Sequence, residues 1–162
     1  MASDEIETFR RLLESLQPYP QMQFLLFAEK WGAPEEELLD FCRQEGHSIQ
    51  LYALGDLAQR APEAPEIRLR PYRVDQPRYN LQGRLYNHAF ITAIPPEEPI
   101  AFARKVYTGL VNAGSFYLFC SPAEAPGWQE ALEAANYVAG SLIELSPQRC
   151  IVSARKMHGW GG

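Results

Sequence analysis

"FLLFAEKWGAPEEELLDF", residues Phe24–Phe41, is the stretch that decides the fold. With Met22 before it, its first part is an apolar run to Ala28. That run is too short for a self-standing helix and suits a strand buried on both faces. Its second part opens with Pro34, which fits a first helical turn. Glu35, Glu36 and Glu37 follow, favourable at the positive end of the helix dipole. Leu38, Leu39 and Cys42 give that helix an inner face, and Gly46 fits its C-terminal stop. The junction is a strand-to-helix turn, Ala28-Glu29-Lys30-Trp31-Gly32. Nucleotide-binding α/β proteins place glycines at such a turn so that backbone and ligand can approach closely. Here only Gly32 is a glycine.

The pattern extends in both directions. Upstream, Ser3 can cap a helix with Ile6, Phe9, Leu13 and Leu16 on one face, ended by Pro18 and Pro20. Downstream, Ser48–Leu54 reads as a second strand. Ile67–Val74 reads as an exposed third strand, with Pro71 favouring an edge place. Tyr86–Ile94 is a fourth strand, broken by Pro95-Pro96. A helix is expected over Glu97–Asn112 with Ile100, Ala103, Val106 or Tyr107, and Leu110 inside, a turn at Gly114, and a fifth strand over Ser115–Cys120. Trp128, Ala131, Leu132 and Ala135 mark another amphipathic helix. Ala139–Leu145 and Arg149–Met157, joined by Ser146-Pro147-Gln148, must pair antiparallel, because a parallel pair needs a long crossover. Alternating strands and helices imply an α/β fold: a mostly parallel seven-stranded sheet with helices on both faces and an antiparallel C-terminal hairpin.

Length and composition fit this picture. The 162 residues suffice for one domain with a real core, and 46% hydrophobic with 22% charged residues is ordinary for a globular chain. The expected layout is a single domain over 1–162: an N-terminal helix over 1–20, sheet and helices over 22–157, and a tail over 158–162. A net charge of −5 argues against broad nucleic-acid binding. Cys42, Cys120 and Cys150 are scattered, which suggests reduced, buried thiols in a cytoplasmic protein. The acidic start does not resemble a signal peptide, and no apolar run reaches membrane-spanning length. Three isolated histidines and three separated cysteines lack metal-ligand spacing, so no metal is expected.

The element order resembles the class I S-adenosylmethionine-dependent methyltransferase fold, a Rossmann-like three-layer sandwich. "LYNHAFITAIPP" resembles that family's fourth strand and following loop. "ARKVYTGLVNAGSFYLFC" resembles its next helix, glycine turn and fifth strand, with Asn112-Ala113-Gly114 where two glycines are common. "AGSLIELSPQRCIVSARK" resembles its final hairpin. The likeness covers about Met22 to Met157. It implies S-adenosylmethionine as cofactor, with Glu29, Trp31 and Gly32 in the cofactor turn. Asp56 would hold the ribose hydroxyls, and Asp75 would lie near the adenine. The sequence departs from the pattern at the glycine-poor first turn. It departs again at Ala93-Ile94-Pro95-Pro96-Glu97, where amino-group methyltransferases carry Asn/Asp-Pro-Pro-Tyr.

Each candidate has two readings. Trp31 either stacks on a flat ligand or plugs the turn. Asp56 either clasps a ribose or serves ordinary turn chemistry after Gly55. Arg68, Arg70 and Arg73, with Arg78, Arg84 and nearby tyrosines, either hold an anion or a single-stranded nucleic acid, or protect an exposed edge strand. His88 is either a general base or a structural histidine, and His47 reads as surface. His158 and Trp160 in the tail either reach a partner or dock on their own surface, and Trp160 or an apolar edge also offers a route to a homodimer. The functional expectation is a divergent, non-catalytic methyltransferase-like domain that binds a small molecule or protein. The alternatives are an active enzyme with an atypical cofactor loop, or a Rossmann-like domain for another nucleotide or small anion.

Overall fold

The computed structural model describes residues 3–80 and 83–157. Four α-helices and seven strands follow in the order α1 (Ser3–Ser15), β1 (Gln23–Ala28), α2 (Ala33–Glu45), β2 (Ser48–Ala53), β3 (Ile67–Pro71), β4 (Tyr86–Ile91), α3 (Pro99–Gly109), β5 (Leu110–Cys120), α4 (Ala125–Ala134), β6 (Tyr137–Ser146) and β7 (Arg149–Lys156). One 3-10 turn, Leu57–Gln59, lies between β2 and β3. The strands form one sheet in the order β3-β2-β1-β4-β5-β7-β6. The first five are parallel, and β7 runs antiparallel between β5 and β6. The chain therefore reverses at β1, from which β2 and β3 extend one way and β4 and β5 the other.

Strand alternation explains the two cores. Successive side chains point to opposite faces, so a strand covered on both sides must be apolar throughout. Phe24, Leu26 and Ala28 of β1 face α1 and α2, where they join Phe9, Leu13, Leu38, Leu39 and Cys42. Leu25 and Phe27 face the other way, toward Phe102, Ala103 and Val106 of α3, while Trp128, Ala131 and Leu132 of α4 belong to the same cluster. Gly46 ends α2 in the left-handed region (φ +77°), and its amide donates to the Cys42 carbonyl. The third strand lies at the sheet edge, as Pro71 required.

Several boundaries and placements differ from the sequence reading. The helix expected to reach Asn112 stops at Gly109, and Leu110 leaves it to pair with Tyr86 in the sheet. A bulge between Tyr86 and His88 then lets residues 111–114 bow outward, with Ala113 in the left-handed region at φ +64°. The fourth strand ends at Ile91, where the Thr92 amide still donates to the Phe27 carbonyl. The third ends at Pro71. His47 is not surface: it is buried, and its Nδ1 accepts the Met22 amide at 2.9 Å. Cys120 and Cys150, far apart in sequence, face each other across β5 and β7 with their sulfurs 3.9 Å apart. All three cysteines are free and buried. Burial pushes the Cys42 and Cys120 thiols up to about 12, Cys120 also feeling its neighbour Cys150.

Candidate functional site

In an open α/β sheet, ligands bind outside the carboxyl ends of the strands where the strand order reverses. Here that place lies above β1, β2 and β4. The turn after β1 passes from Ala28 to the first residue of α2, Ala33. The Glu29 side chain leans over Gly55, the residue two beyond β2. A β-carbon on Gly55 would lie 3.3 Å from Glu29 Oε1 and 3.5 Å from its Cγ. Gly55 also has φ +58°, so this backbone favours glycine twice over. Gly32 precedes α2, and its amide donates to Glu35 Oε1 at 2.8 Å. The helix start is thus capped by a buried carboxylate from its own first turn.

Trp31 turns toward the face covered by α1 and α2. It is half-buried against that core, and its Nε1 donates to Glu36 Oε2 at 2.6 Å. Asp56 is exposed and pairs with Arg60 one turn on, at 2.8 Å. Asp75 is also exposed and lies 3.4 Å from Arg73. The structure therefore brings Glu29 against Gly55, next to Asp56, and directs Trp31 and Asp75 elsewhere.

A second group collects after β3 and β4, and sequence reasoning did not find it. The hydroxyls of Tyr72 and Tyr79 both donate to Glu97 Oε2, the Tyr79 contact at 3.4 Å. Lys105 Nζ sits 2.8 Å from Glu97 Oε1 and also donates to the Val74 carbonyl at 3.0 Å. The Glu97 side chain is only 5% exposed. Burial, and then the Glu97 carboxylate, raise both phenols well above their ordinary range, so both stay protonated as donors. Beneath them Tyr79 packs edge-on to Phe27 (4.9 Å between centroids) and Tyr52 (5.0 Å). The only hint in the sequence was Pro95-Pro96-Glu97 itself, an acid immediately after a double proline.

Five concavities bounded by described residues have neither Glu29, Trp31, Gly32, Asp56 nor Glu97 in their walls, though they are not all that the surface holds. One, of about 490 Å³, opens at the opposite end of the sheet and includes His88. His88 is not near a strand's carboxyl end. Its Nδ1 is buried without a partner among the described residues, and burial, then His47, hold its pKa down at about 4. That neutral ring belongs to the packing around Phe24, whose centroid is 5.6 Å away. Another concavity, of about 330 Å³, gathers Arg68, Arg70 and Arg84 at the β3 edge. Arg73 is not in it and lines a separate recess with Arg70 and Asp75. His158 and Trp160 lie outside the described residues. Among the described residues, no cluster of His, Cys, Asp or Glu is arranged to hold a metal ion, and no helix is long and apolar enough to cross a membrane.

No protein-family profile and no curated protein matches this sequence. Solved structures do match. A TehB-like SAM-dependent methyltransferase from Corynebacterium glutamicum aligns with TM-score 0.71 over 92% of this chain and 87% of its own, at 11% identity. CurJ carbon methyltransferase aligns with TM-score 0.74 over 95% of this chain and 54% of its own, also at 11% identity. The chain has the class I methyltransferase fold. Human N-acetylserotonin methyltransferase, solved in complex with SAM, aligns at TM-score 0.65 and 10% identity over 93% of this chain and 52% of its own. The chain thus spans about half the length of the CurJ and human enzymes. At such identities the likeness is one of fold, and function must be argued from the methyltransferase-fold site itself.

Proposed function

We propose that this chain is a methyltransferase-fold binding module that does not transfer methyl groups. What supports the reading is that the chain's own side chains occupy places along the carboxyl-end crevice. Glu29 takes the space above Gly55, and Glu35 takes the amide at the start of α2. Tyr72, Tyr79 and Lys105 take the lone pairs of Glu97 on the loop after β4. An adenosyl ligand would have to displace a carboxylate at the first place and break a buried ion pair at the last. Both operations are unfavourable without compensating contacts. In this reading Glu29, Trp31, Gly32 and Asp56 serve the turns they stand in, and the partner, a small molecule or a protein, binds elsewhere.

A second reading, an active S-adenosylmethionine-dependent enzyme, draws on one feature: Asp56 is exposed beside Gly55 at the carboxyl end of β2, with its carboxylate open to a ligand. Methyl transfer depends mainly on positioning, so the lack of a conspicuous catalytic residue does not count against it. Calorimetric titration with S-adenosylmethionine separates the two. The binding-module reading expects no saturable heat. Micromolar binding, together with release of a labelled methyl group to any acceptor, would overturn it.

A further inference from the structure

The edge of the sheet farthest from the hairpin carries three arginines in one place. Arg68 and Arg70 alternate on the same face of β3, and Arg68 pairs in register with Gln50 of β2. Arg84 arrives from the chain entering β4, just before Tyr86. The described residues of the connection from β3 to β4 form no α-helix over this part of the sheet. What remains is a concavity of about 330 Å³ walled by Gln50, Arg68, Arg70, Arg84 and Tyr86.

Among the described residues no carboxylate compensates these charges. The ion pairs of the described residues involve Arg10, Arg11, Arg43, Arg60, Arg73, Lys105 and Arg149, but none of these three arginines. The chain as a whole is acidic, at −5, so carboxylates were not lacking. Three guanidinium groups facing one recess repel each other unless an anion joins them. The electrostatics of the buried residues record that convergence. Burial raises the Tyr86 phenol, while Arg68, Arg84 and Arg70 all pull it back. Burial, then the charge of Arg84, lower the Arg68 guanidinium.

Arg68 is also held in position. One terminal nitrogen donates to Gln23 Oε1 at 2.8 Å, and Gln23 Oε1 in turn accepts the Ser48 hydroxyl at 3.0 Å. Gln50 Nε2 donates to the Arg68 carbonyl at 3.0 Å. The Arg68 Nε is buried and has no partner among the described residues. A guanidinium already fixed, with a donor left over, loses little freedom when it binds an oxyanion.

We propose that this recess is a binding site for a small phosphate-bearing molecule, held by Arg68, Arg70 and Arg84 with the Tyr86 hydroxyl beside them. Guanidinium groups match phosphate oxygens with paired, charge-assisted hydrogen bonds. The recess accommodates a phosphoryl or diphosphoryl group with a small organic remainder. It is too short for a nucleic-acid strand, which needs an extended basic track, and the chain as a whole is acidic. The site lies apart from the turn after β1 and does not depend on whether that turn accepts S-adenosylmethionine.

The test is calorimetric titration of the full chain with inorganic phosphate, pyrophosphate and ADP at physiological salt, repeated with Arg70→Gln and Arg84→Gln. Both arginines are exposed, so the variants are expected to keep the fold, which circular dichroism checks. The expected result is saturable binding of at least one probe, weakened about tenfold by each substitution. Binding of phosphate and pyrophosphate alone would identify a free-anion site, and tighter binding of ADP a phosphoester site; either supports the proposal. No saturable binding of any probe at millimolar concentration would overturn it, as would unchanged affinity in both variants. Tighter binding of a short oligouridylate, with a salt dependence steeper than three charges allow, would also overturn it in favour of nucleic acid.

Discussion

Lys105 Nζ lies 2.8 Å from Glu97 Oε1, an ion pair that ties α3 to the loop immediately before it while two tyrosines from the β3–β4 connection hold the other carboxylate oxygen. The carboxylate is 5% exposed and the ammonium 20%. Removing the carboxylate would leave a mostly buried cation and two phenols without their acceptor. Glu97→Ala is therefore expected to lower unfolding stability by about 3 kcal/mol, the range for breaking a buried pair on one side. Urea denaturation checks this. A change below about 0.5 kcal/mol, typical of a surface substitution, would mean that the cluster is not a structural lock.

His47 and His88 flank the Phe24 ring, at 5.8 and 5.6 Å between centroids. Burial lowers both imidazoles, His88 to about 4. A histidine lowered in the folded state binds its proton more readily when unfolded. Its contribution to stability is intact above the unfolded pKa, near 6.5, and is lost as pH falls from there toward 4. For His88 alone the full loss is about 3 kcal/mol, and below pH 4 both states are protonated and the slope vanishes. His88→Asn should flatten the stability–pH curve between pH 6.5 and 4 relative to the parent chain. Parallel curves for the two proteins across that window would show that His88 does not titrate as described.

Gly114 stands where the bowed segment 111–114 returns to the sheet. A β-carbon there would come within 2.9 Å of the carbonyl oxygens of Asn87 and Val111 and 3.3 Å of Leu110 Cβ. Two of those neighbours are backbone atoms, which cannot swing aside as a flexible side chain can. Gly114→Ala is expected to lower stability by about 1–3 kcal/mol, as overpacking does. Gly140→Ala is the control: its β-carbon would meet nothing within 4 Å. Equal thermal midpoints for the two variants would remove the steric argument.

The elements were legible because local signals and tertiary demands agreed. Leu25, Leu26 and Phe27 announce a strand buried on both faces, Gly46 can close α2 in the left-handed region, and the two-residue link Pro147-Gln148 forces β6 and β7 antiparallel. What failed depended on residues far away in the chain. Leu110 looks helical until Tyr86 offers it a strand partner. His47 looks like a turn residue until Met22 supplies an amide and Phe24 and Phe41 supply rings. The site was least legible. Trp31 sits in the right turn to be a plug, but Glu36 draws its indole to the α2 side. The rings that pack over the carboxyl ends of β1 and β2, Tyr72 and Tyr79, come from a connection whose sequence carries no periodic pattern.

Asp56 gives the sharpest contrast between the two functional readings. It is exposed at 68% of its side chain, and Arg60, its partner at 2.8 Å, is exposed at 54%. Such a pair contributes about 0–1 kcal/mol, since water screens both charges and two long side chains lose freedom to form it. If the crevice is closed from within, Asp56 is a turn residue and nothing more. Asp56→Ala should then shift the thermal midpoint by only about 3 °C or less, and S-adenosylmethionine should leave the midpoint unchanged in parent and variant alike. In an active enzyme the same carboxylate would accept hydrogen bonds from a ribose. S-adenosylmethionine would then raise the parent's midpoint by mass action, and the substitution would abolish that rise. A rise in the parent that disappears in Asp56→Ala would assign Asp56 to cofactor binding and sink the binding-module reading.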